Sequence, residues 1–172
     1  MLAWGKKVSA EFCQRVREIA DSLGTDPNYL MACMAFESGE TFSPAIKNAA
    51  GSGATGLIQF MPSTAQALGT TTEELASMTA EEQLDYVESY FESKRGRLSS
   101  LEDVYMAILW PAAVGKPTDY VLFDRKDPDH PKRYLQNAGL DFNKDGIITK
   151  AEAAARVQQK LKKGLSPEYA LA

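Results

Sequence analysis

A glutamate at the predicted end of an apolar helix is the residue best placed in this sequence to do acid chemistry. Glu37 directly follows the apolar stretch Met34–Phe36, so we expect its carboxyl group to be partly removed from water. Desolvation raises the pKa of a carboxyl group and leaves it a proton to donate. The segment 41–56 that follows is rich in Ser, Asn, Ala and Gly, which is typical of a functional loop. A protonated acid in such a cleft is what cleavage of a glycosidic bond requires.

A second chemical pattern lies in the twelve-residue acidic stretch 141–152. Its spacing is that of an EF-hand loop, with Gly146 at the sixth position for the sharp turn. We therefore predict a structural calcium ion, with a regulatory ion as the alternative, and no cofactor for catalysis. The predicted ligands are Asp141, Asn143, Asp145, the backbone carbonyl of Ile147, Thr149 (directly or through water) and Glu152.

Composition limits the class of protein that can carry these residues. The 172 residues are 44% hydrophobic and 24% charged, which fits one globular domain or one domain with a short appendage. A net charge of -4 argues against a nucleic-acid-binding protein. No apolar run reaches the roughly 18 residues of a membrane span, so we expect no membrane insertion. Cys13 and Cys33 lie in apolar helical patterns and are expected to be buried thiols.

The elements that must hold the acid and the acidic loop are predicted to be helices, with no strand. The helix that begins at Asp26 and Pro27 is apolar on every side and should be buried almost completely. The polar, proline-punctuated stretch 124–131 suggests a boundary. We therefore predict an all-α chain with one domain at 1–122 and a helix–loop–helix appendage at 123–172. The lysines that end its final helix, Lys160, Lys162 and Lys163, are expected to be solvated.

Two motifs resemble those of the lytic transglycosylase domain in the lysozyme superfamily. Glu37-Ser38-Gly39 is similar to the acid–Ser pair at a helix end, and 53–65 is similar to the segment in which Gly-Leu-x-Gln leads into Met-Pro-x-Thr-Ala. The resemblance covers about residues 10–120 and implies a lysozyme-like fold. It implies that Glu37 is the single catalytic acid and that Ser38 positions the acid or the substrate. It also implies that Gly56 and Leu57, which form a tight turn, and Gln59, which follows it, bind the sugar.

The third motif of that family, Ala-x-Tyr-Asn-Ala-Gly, is altered in this sequence. Trp110 and Pro111 stand at the Tyr and Asn positions. Pro111 has no amide side chain with which to replace the asparagine. Trp110 and Tyr105 are therefore the two candidates for the missing substrate contact.

The resemblance implies cleavage of the β-1,4 bond between MurNAc and GlcNAc in peptidoglycan, with the muramic 6-hydroxyl attacking the anomeric carbon. A hydrolytic muramidase of the same fold and a catalytically weak, calcium-dependent wall-binding module are the alternatives. The first residues lack the pattern of a secretory signal. We therefore expect a monomeric phage or prophage lysin, made in the host cytoplasm, that reaches the wall through a holin or on a virion.

Overall fold

The computed structural model describes residues 1–172, which form eight α-helices and one small sheet. Short 3₁₀ turns connect several of them. The helices are α1 (Ala10–Leu23), α2 (Pro27–Glu37), α3 (Pro62–Ala67), α4 (Thr72–Ser77), α5 (Ala80–Phe91), α6 (Leu101–Leu109), α7 (Pro131–Gln136) and α8 (Lys150–Gly164). The strands are β1 (Val121–Asp124) and β2 (Ile147–Thr149), which pair antiparallel. None of the helices combines the length and the apolar composition that crossing a membrane requires.

The predicted burial of α2 is confirmed. Residues 30–35 are all buried, and α1, α6 and α8 pack around the helix. Asp26 caps the helix by accepting a hydrogen bond from the backbone N–H of Asn28, and Pro27 occupies the first turn. Because α2 is apolar on every side, the helices around it bury its central residues and hold its C-terminal end in one place. That end carries Glu37.

The other helices of the N-terminal part begin and end at local sequence signals. Ser9 caps α1, and Gly24 ends it in the left-handed conformation. Thr79 and Glu82 form a complete capping box at the start of α5. Both cysteines are buried and unpaired, as predicted. Helix α1 then packs against α5 on one side and against α2 on another.

The C-terminal segment differs from the predicted appendage, because it shares the core of the preceding domain. Helix α8 packs against α2 and α6, and its residues Ala153, Ala154 and Val157 belong to the same hydrophobic cluster as those helices. The indole N–H of Trp4 donates to the carbonyl of Lys160 at 2.9 Å. The predicted boundary at residues 122 and 123 therefore does not separate two cores.

The short sheet is a further difference from the prediction of helices alone. Residues 121–124 pair with 147–149, and the pairing shifts register between Val121 and Phe123. Phe123 and Ile148 are buried in this sheet, so it joins the acidic loop to the core. Strands of three and four residues carry too little alternation to be recognised in a sequence.

A buried ion pair fixes the first residue of α8. The ammonium group of Lys150, which is 2% exposed, donates to Asp103 Oδ1 on α6 at 2.5 Å. It also donates to the carbonyls of Ala113 at 3.1 Å and Lys116 at 2.7 Å. Burial opposes ionisation of Asp103, but hydrogen bonds from Lys150 and the backbone of Gly115 outweigh it and lower the pKa of Asp103.

Candidate functional site

Glu37 ends α2 in surroundings that supply no hydrogen-bond donor to its carboxyl group. The side chain is half-buried and takes part in no hydrogen bond or ion pair with the rest of the chain. Burial therefore acts alone, and it raises the pKa of Glu37 from its ordinary value of 4.5 to about 7. A carboxyl group with this pKa keeps its proton in about half of the molecules at neutral pH and can act as a general acid.

The charge of Glu37 contributes to the pKa values of two tyrosines. Burial, followed by the charge of Glu37, raises the pKa of Tyr90 and of Tyr105. The Tyr90 hydroxyl donates to the carbonyl of Ala107 at 2.7 Å. The Tyr105 ring packs edge-on against Phe36 at 5.6 Å between centroids, and its hydroxyl has no hydrogen-bond partner in the protein. Tyr105, one of the two predicted substitutes for the family tyrosine, therefore lies close to the acid.

Ser38 is a structural residue. It is 1% exposed, its hydroxyl donates to the carbonyl of Met34 at 2.6 Å, and it accepts from the N–H of Phe42 at 2.9 Å. Of the two predicted roles, this arrangement serves the first: Ser38 fixes the turn that follows Glu37. It is too deeply buried to contact a substrate, so the prediction of substrate binding by Ser38 is not supported.

The Gly56–Leu57 turn is held from beneath by a side chain of α5. Gly56 has a φ of +85°, and a Cβ there would lie 2.8 Å from the carbonyl oxygen of Pro44 and collide with the amide of Gln83. The N–H of Leu57 donates to Gln83 Oε1 at 2.8 Å, and the Leu57 side chain is fully buried. Leu57 therefore cannot touch a sugar, contrary to the prediction, and both residues shape the turn instead.

Gln59 follows that turn in the left-handed conformation, with a φ of +55°. Its amide nitrogen donates to the carbonyls of Ile46 at 3.2 Å and Gly56 at 3.1 Å. Because these bonds use the amide nitrogen, the Oε1 atom is left to accept a hydrogen bond from a ligand. The strained backbone and the two bonds fix the direction of this side chain.

A small cavity adjoins Gln59. It has a volume of about 70 Å³, and Met61, Tyr90 and Ile108 contribute to its lining. Phe60 is buried, whereas Met61 is 44% exposed, so Met61 is the better candidate for a cleft wall. Larger depressions of about 470 and 530 Å³ lie elsewhere, and Glu37 lines neither of them.

Trp110, the other predicted substitute, makes its contacts with the C-terminal segment. Its ring lies edge-on to Phe123 at 5.3 Å, and the guanidinium group of Arg133 lies over it at 4.9 Å from the ring centroid. A sugar would have to displace Arg133 to stack on that face. The contacts thus place Tyr105 near Glu37 and Trp110 against the C-terminal segment.

A second glutamate, Glu40, lies three residues beyond Glu37 but is held by cations. Its carboxylate pairs with Lys160, and with Lys163 at 2.9 Å, both on α8. The hydrogen bond from Lys160 is the main cause that lowers the pKa of Glu40. Lys160 and Lys163 are thus ion-paired, contrary to the prediction that they are simply solvated. Glu40 is a poor candidate for a second catalytic carboxyl group.

Three of the six predicted calcium ligands, Asp141, Asp145 and Glu152, are brought together around the loop between α7 and α8. Asp141, which is 5% exposed, uses Oδ2 to accept from the Tyr134 hydroxyl at 2.5 Å and from the Gly146 N–H at 3.0 Å. Asn143 and Asp145 are exposed and exchange hydrogen bonds of 3.3 Å across the loop. Asp145 also accepts from the N–H of Ile147 at 2.9 Å.

The end of the loop is also the beginning of α8. Glu152 Oε1 accepts from the N–H of Thr149 at 3.2 Å and from its hydroxyl at 3.3 Å, which completes a capping box. The Thr149 hydroxyl is therefore already engaged with Glu152. Carboxylate oxygens of Asp141, Asp145 and Glu152 lie within 4.8 Å of one another. The loop is thus folded with its acidic groups converging on one point.

Two interactions that support the site were missed at the level of sequence. Gln83 is fully buried, and its amide nitrogen donates to the carbonyls of Pro44 and Leu75, each at 2.9 Å. In the sequence, Gln83 could have been noticed as a polar residue on the apolar face of α5, since it lies on the same side of the helix as Val87 and Phe91. Lys150 gives no such signal, because a lysine at the start of a helix is normally solvated.

Comparison with known protein families finds a match in the part of the chain that carries Glu37. None of the curated proteins compared with the sequence matches it significantly. The region from α1 to the turn after α5, which carries Glu37 and Gln59, matches a known family over just under half of the chain. This match supports a lysozyme-like fold and a glycosidase activity directed at the peptidoglycan of the cell wall. Residues 14–95 match the family described as the transglycosylase SLT domain.

Proposed function

We propose that this protein is a lytic transglycosylase that cleaves the MurNAc–GlcNAc β-1,4 bond of peptidoglycan with Glu37 as its single catalytic acid. The observation that carries the proposal is the state of that carboxyl group. It is half-buried, has no hydrogen-bond donor and has a pKa of about 7. Such a group can donate a proton near neutral pH and take one back afterwards.

In the proposed reaction, Glu37 gives its proton to the glycosidic oxygen as the bond between that oxygen and the anomeric carbon breaks. The N-acetyl group of the substrate assists this departure. The muramic 6-hydroxyl then attacks the same anomeric carbon, and its proton returns to Glu37. The products are a free GlcNAc 4-hydroxyl and a 1,6-anhydro-muramyl end, so no water is consumed and the enzyme is regenerated.

The surroundings of Glu37 favour this route over hydrolysis. Hydrolytic glycosidases generally use a second carboxylate to activate water or to attack the sugar. The nearest candidate along the chain, Glu40, is tied to Lys160 and Lys163 of α8. The next two, Glu73 and Glu74, lie in the first turn of α4, where acidic residues suit the helix dipole. A mechanism in which the substrate supplies its own nucleophile needs none of them.

For substrate binding we propose Gln59, through its Oε1 atom, and Tyr105, through its hydroxyl. Both groups lack a hydrogen-bond partner within the protein, and Tyr105 feels the charge of Glu37. Met61 is proposed as an apolar wall of the cleft, because it is exposed beside the small cavity. Ser38, Gly56 and Leu57 are assigned to holding the acid and the turn.

The test is digestion of purified peptidoglycan by the parent protein, Glu37→Gln and Glu40→Gln. We expect Glu37→Gln to lose about 10³-fold or more of the activity, since the glutamine cannot donate a proton. Glu40→Gln is the matched control and should retain activity within about threefold, because it weakens the ion pairs with α8 and leaves the proton donor in place. Equal rates for the parent and Glu37→Gln contradict the catalytic assignment.

Mass spectrometry of the products decides between transglycosylase and muramidase. Anhydro-muramyl ends are lighter by one water than hydrolysed ends, so a product set made only of hydrolysed ends contradicts the proposed route. Binding to the wall without any cleavage indicates the third reading, a wall-binding module.

We also propose a phage or prophage lysin as the biological setting, on the basis of the motif resemblance around Glu37 and Gln59. In that setting the lysin is made in the host cytoplasm and reaches the wall through a holin or on a virion. Expression inside bacteria with and without a holin tests release: lysis that requires the holin supports it.

A further inference from the structure

Two carboxylate oxygens are buried without a hydrogen-bond donor in the loop that precedes α8. They are Asp141 Oδ1 and Glu152 Oε2. The other oxygen of each residue is satisfied, by Tyr134 and Gly146 for Asp141 and by Thr149 for Glu152. An anionic oxygen that is buried without a partner is costly. Two of them in one loop indicate that a cation completes the site.

We infer that this loop binds one calcium ion, and that the ion fixes α8 against the helix that carries Glu37. The oxygens of Asp141, Asp145 and Glu152 lie within 4.8 Å of one another. Ligand distances of about 2.3–2.6 Å allow oxygens around one calcium ion to be at most about 5 Å apart. The three carboxylates already satisfy this limit.

The chemistry of the donors selects the metal. Every candidate donor is an oxygen: the three carboxylates, the Asn143 amide and the Ile147 backbone carbonyl. A set without sulfur or imidazole is poorly suited to zinc. A glutamate with one free oxygen and one lightly held oxygen can become bidentate, which suits the larger coordination sphere of calcium better than that of magnesium.

The site is single, because strand β2 of the loop pairs with β1 and not with a second acidic loop. Paired EF-hands in sensors couple two ions, whereas one loop joined to the core binds one ion without cooperativity. This arrangement favours a structural role for the ion.

Helix α8 connects the proposed ion site to the turn that follows Glu37. Glu152 is both a candidate ligand and the third residue of the capping box that begins α8. Helix α8 packs along α2, and its last turns hold Glu40 through Lys160 and Lys163. Glu40 follows Glu37 by three residues. An ion that fixes the start of α8 therefore stabilises the helix that restrains this turn.

Calcium binding to the full chain tests the inference by isothermal titration, with magnesium as the comparison metal. We expect one calcium per chain and weaker binding of magnesium. Calcium at one hundred times its Kd should raise the Tm by roughly 5–10 °C. Absence of calcium binding at millimolar concentration, or equal binding of the two metals, overturns the site.

Glu152→Gln is the informative variant, because an amide oxygen can still complete the capping box but cannot form a bidentate carboxylate ligand. We expect calcium affinity to fall by about 100-fold or more, and the calcium-induced rise in Tm to disappear. Asp119→Asn, an exposed acid outside the loop, is the matched control and should behave as the parent does. Asp145→Asn removes an exposed ligand and serves if Glu152→Gln does not fold.

Amide hydrogen exchange tests whether calcium binding stabilises α8 and the turn after Glu37, separately from whether calcium binds. Calcium should slow exchange along α8 and at 38–42 in the parent, and should not do so in Glu152→Gln. Binding that leaves exchange in α8 unchanged overturns the proposed bracing. These readouts do not depend on enzymatic activity, so they stand or fail independently of the role proposed for Glu37.

Discussion

Carboxyl groups are buried in two regions of this protein, and the two regions treat them in opposite ways. At the end of α2, Glu37 receives no hydrogen bond, and burial raises its pKa to about 7. At the start of α8, Asp141 receives a hydrogen bond from Tyr134, the main cause that lowers its pKa, and another from the backbone of Gly146. Asp103 in the same region is paired with Lys150 and also has a lowered pKa.

The difference teaches that burial alone does not decide what a carboxyl group can do. Burial without donors favours the neutral acid, which can donate a proton. Burial with donors or a nearby ammonium group keeps the charge, which can then attract a cation or hold two helices together. The first region is suited to proton transfer and the second to binding and fastening.

The largest effect is expected when Asp103 loses its counter-charge, which should make it resemble Glu37. Lys150→Ala leaves that carboxylate buried without a counter-charge, so Asp103 should acquire a raised pKa, as Glu37 has. We expect a loss of about 3–5 kcal/mol in the free energy of unfolding at neutral pH, measured by urea denaturation. The loss should shrink as the pH is lowered and Asp103 becomes protonated.

The control for Lys150→Ala is Lys160→Ala, which removes one of two partners of the half-buried Glu40. We expect a loss of less than about 1 kcal/mol, because solvent screens this pair and Lys163 remains. Equal losses in the two variants contradict the distinction between the buried pair and the surface pair.

The next largest effect concerns Glu37 itself. Its pKa is 4.5 when exposed and about 7 in the fold, so the folded parent loses stability as the pH rises from about 4.5 to 7. Glu37→Gln has no such dependence. The variant should match the parent below about pH 4.5 and be more stable by up to about 3 kcal/mol above pH 7. Chemical denaturation at a series of pH values measures the difference.

Activity of the parent gives a second measure of the same titration. Because the acid form is required, kcat/KM should fall about tenfold per pH unit above pH 7. If the difference in stability between the parent and Glu37→Gln does not change with pH, Glu37 is not held in the neutral form.

The smallest predicted effects concern the two tyrosines near Glu37, one with a hydrogen-bonded hydroxyl and one without. Tyr90→Phe leaves the carbonyl of Ala107 without its donor and should cost about 1 kcal/mol of stability. Tyr105→Phe removes a hydroxyl that has no protein partner and should change stability by less than about 0.5 kcal/mol. If Tyr105 contacts the substrate, its loss should lower kcat/KM by about tenfold. An unchanged kcat/KM for Tyr105→Phe removes it from the site.

Much of this arrangement could be predicted because it is encoded locally. The apolar stretch 30–36 predicts a buried helix, and it places Glu37 at the end of that helix. The spacing from Asp141 to Glu152 predicts a loop that brings its acids together, which the structure shows. Turn and cap residues act over three or four positions, so a single sequence reveals them.

Contacts between distant segments could not be predicted. The sequence separates Gln83 from Leu57 by 26 residues and Lys150 from Asp103 by 47. A polar residue on the apolar face of α5 marks Gln83 but does not reveal its partners, and Lys150 leaves no local pattern at all. A buried polar side chain is satisfied by whatever backbone or charge the fold brings to it. The substrate-binding predictions for Ser38 and Leu57 failed for the same reason: whether a side chain faces a cleft or a core depends on packing.

The sequence by itself determined that an acid ends an apolar helix and that a second glutamate follows three residues later. Only the tertiary structure decided which of the two keeps its proton. Glu40 meets Lys160 and Lys163, which arrive on α8 more than one hundred positions along the chain. Glu37 meets no cation and no donor. The pKa of a carboxyl group depends on what surrounds it in space, and that is settled only when the C-terminal helix packs against α2.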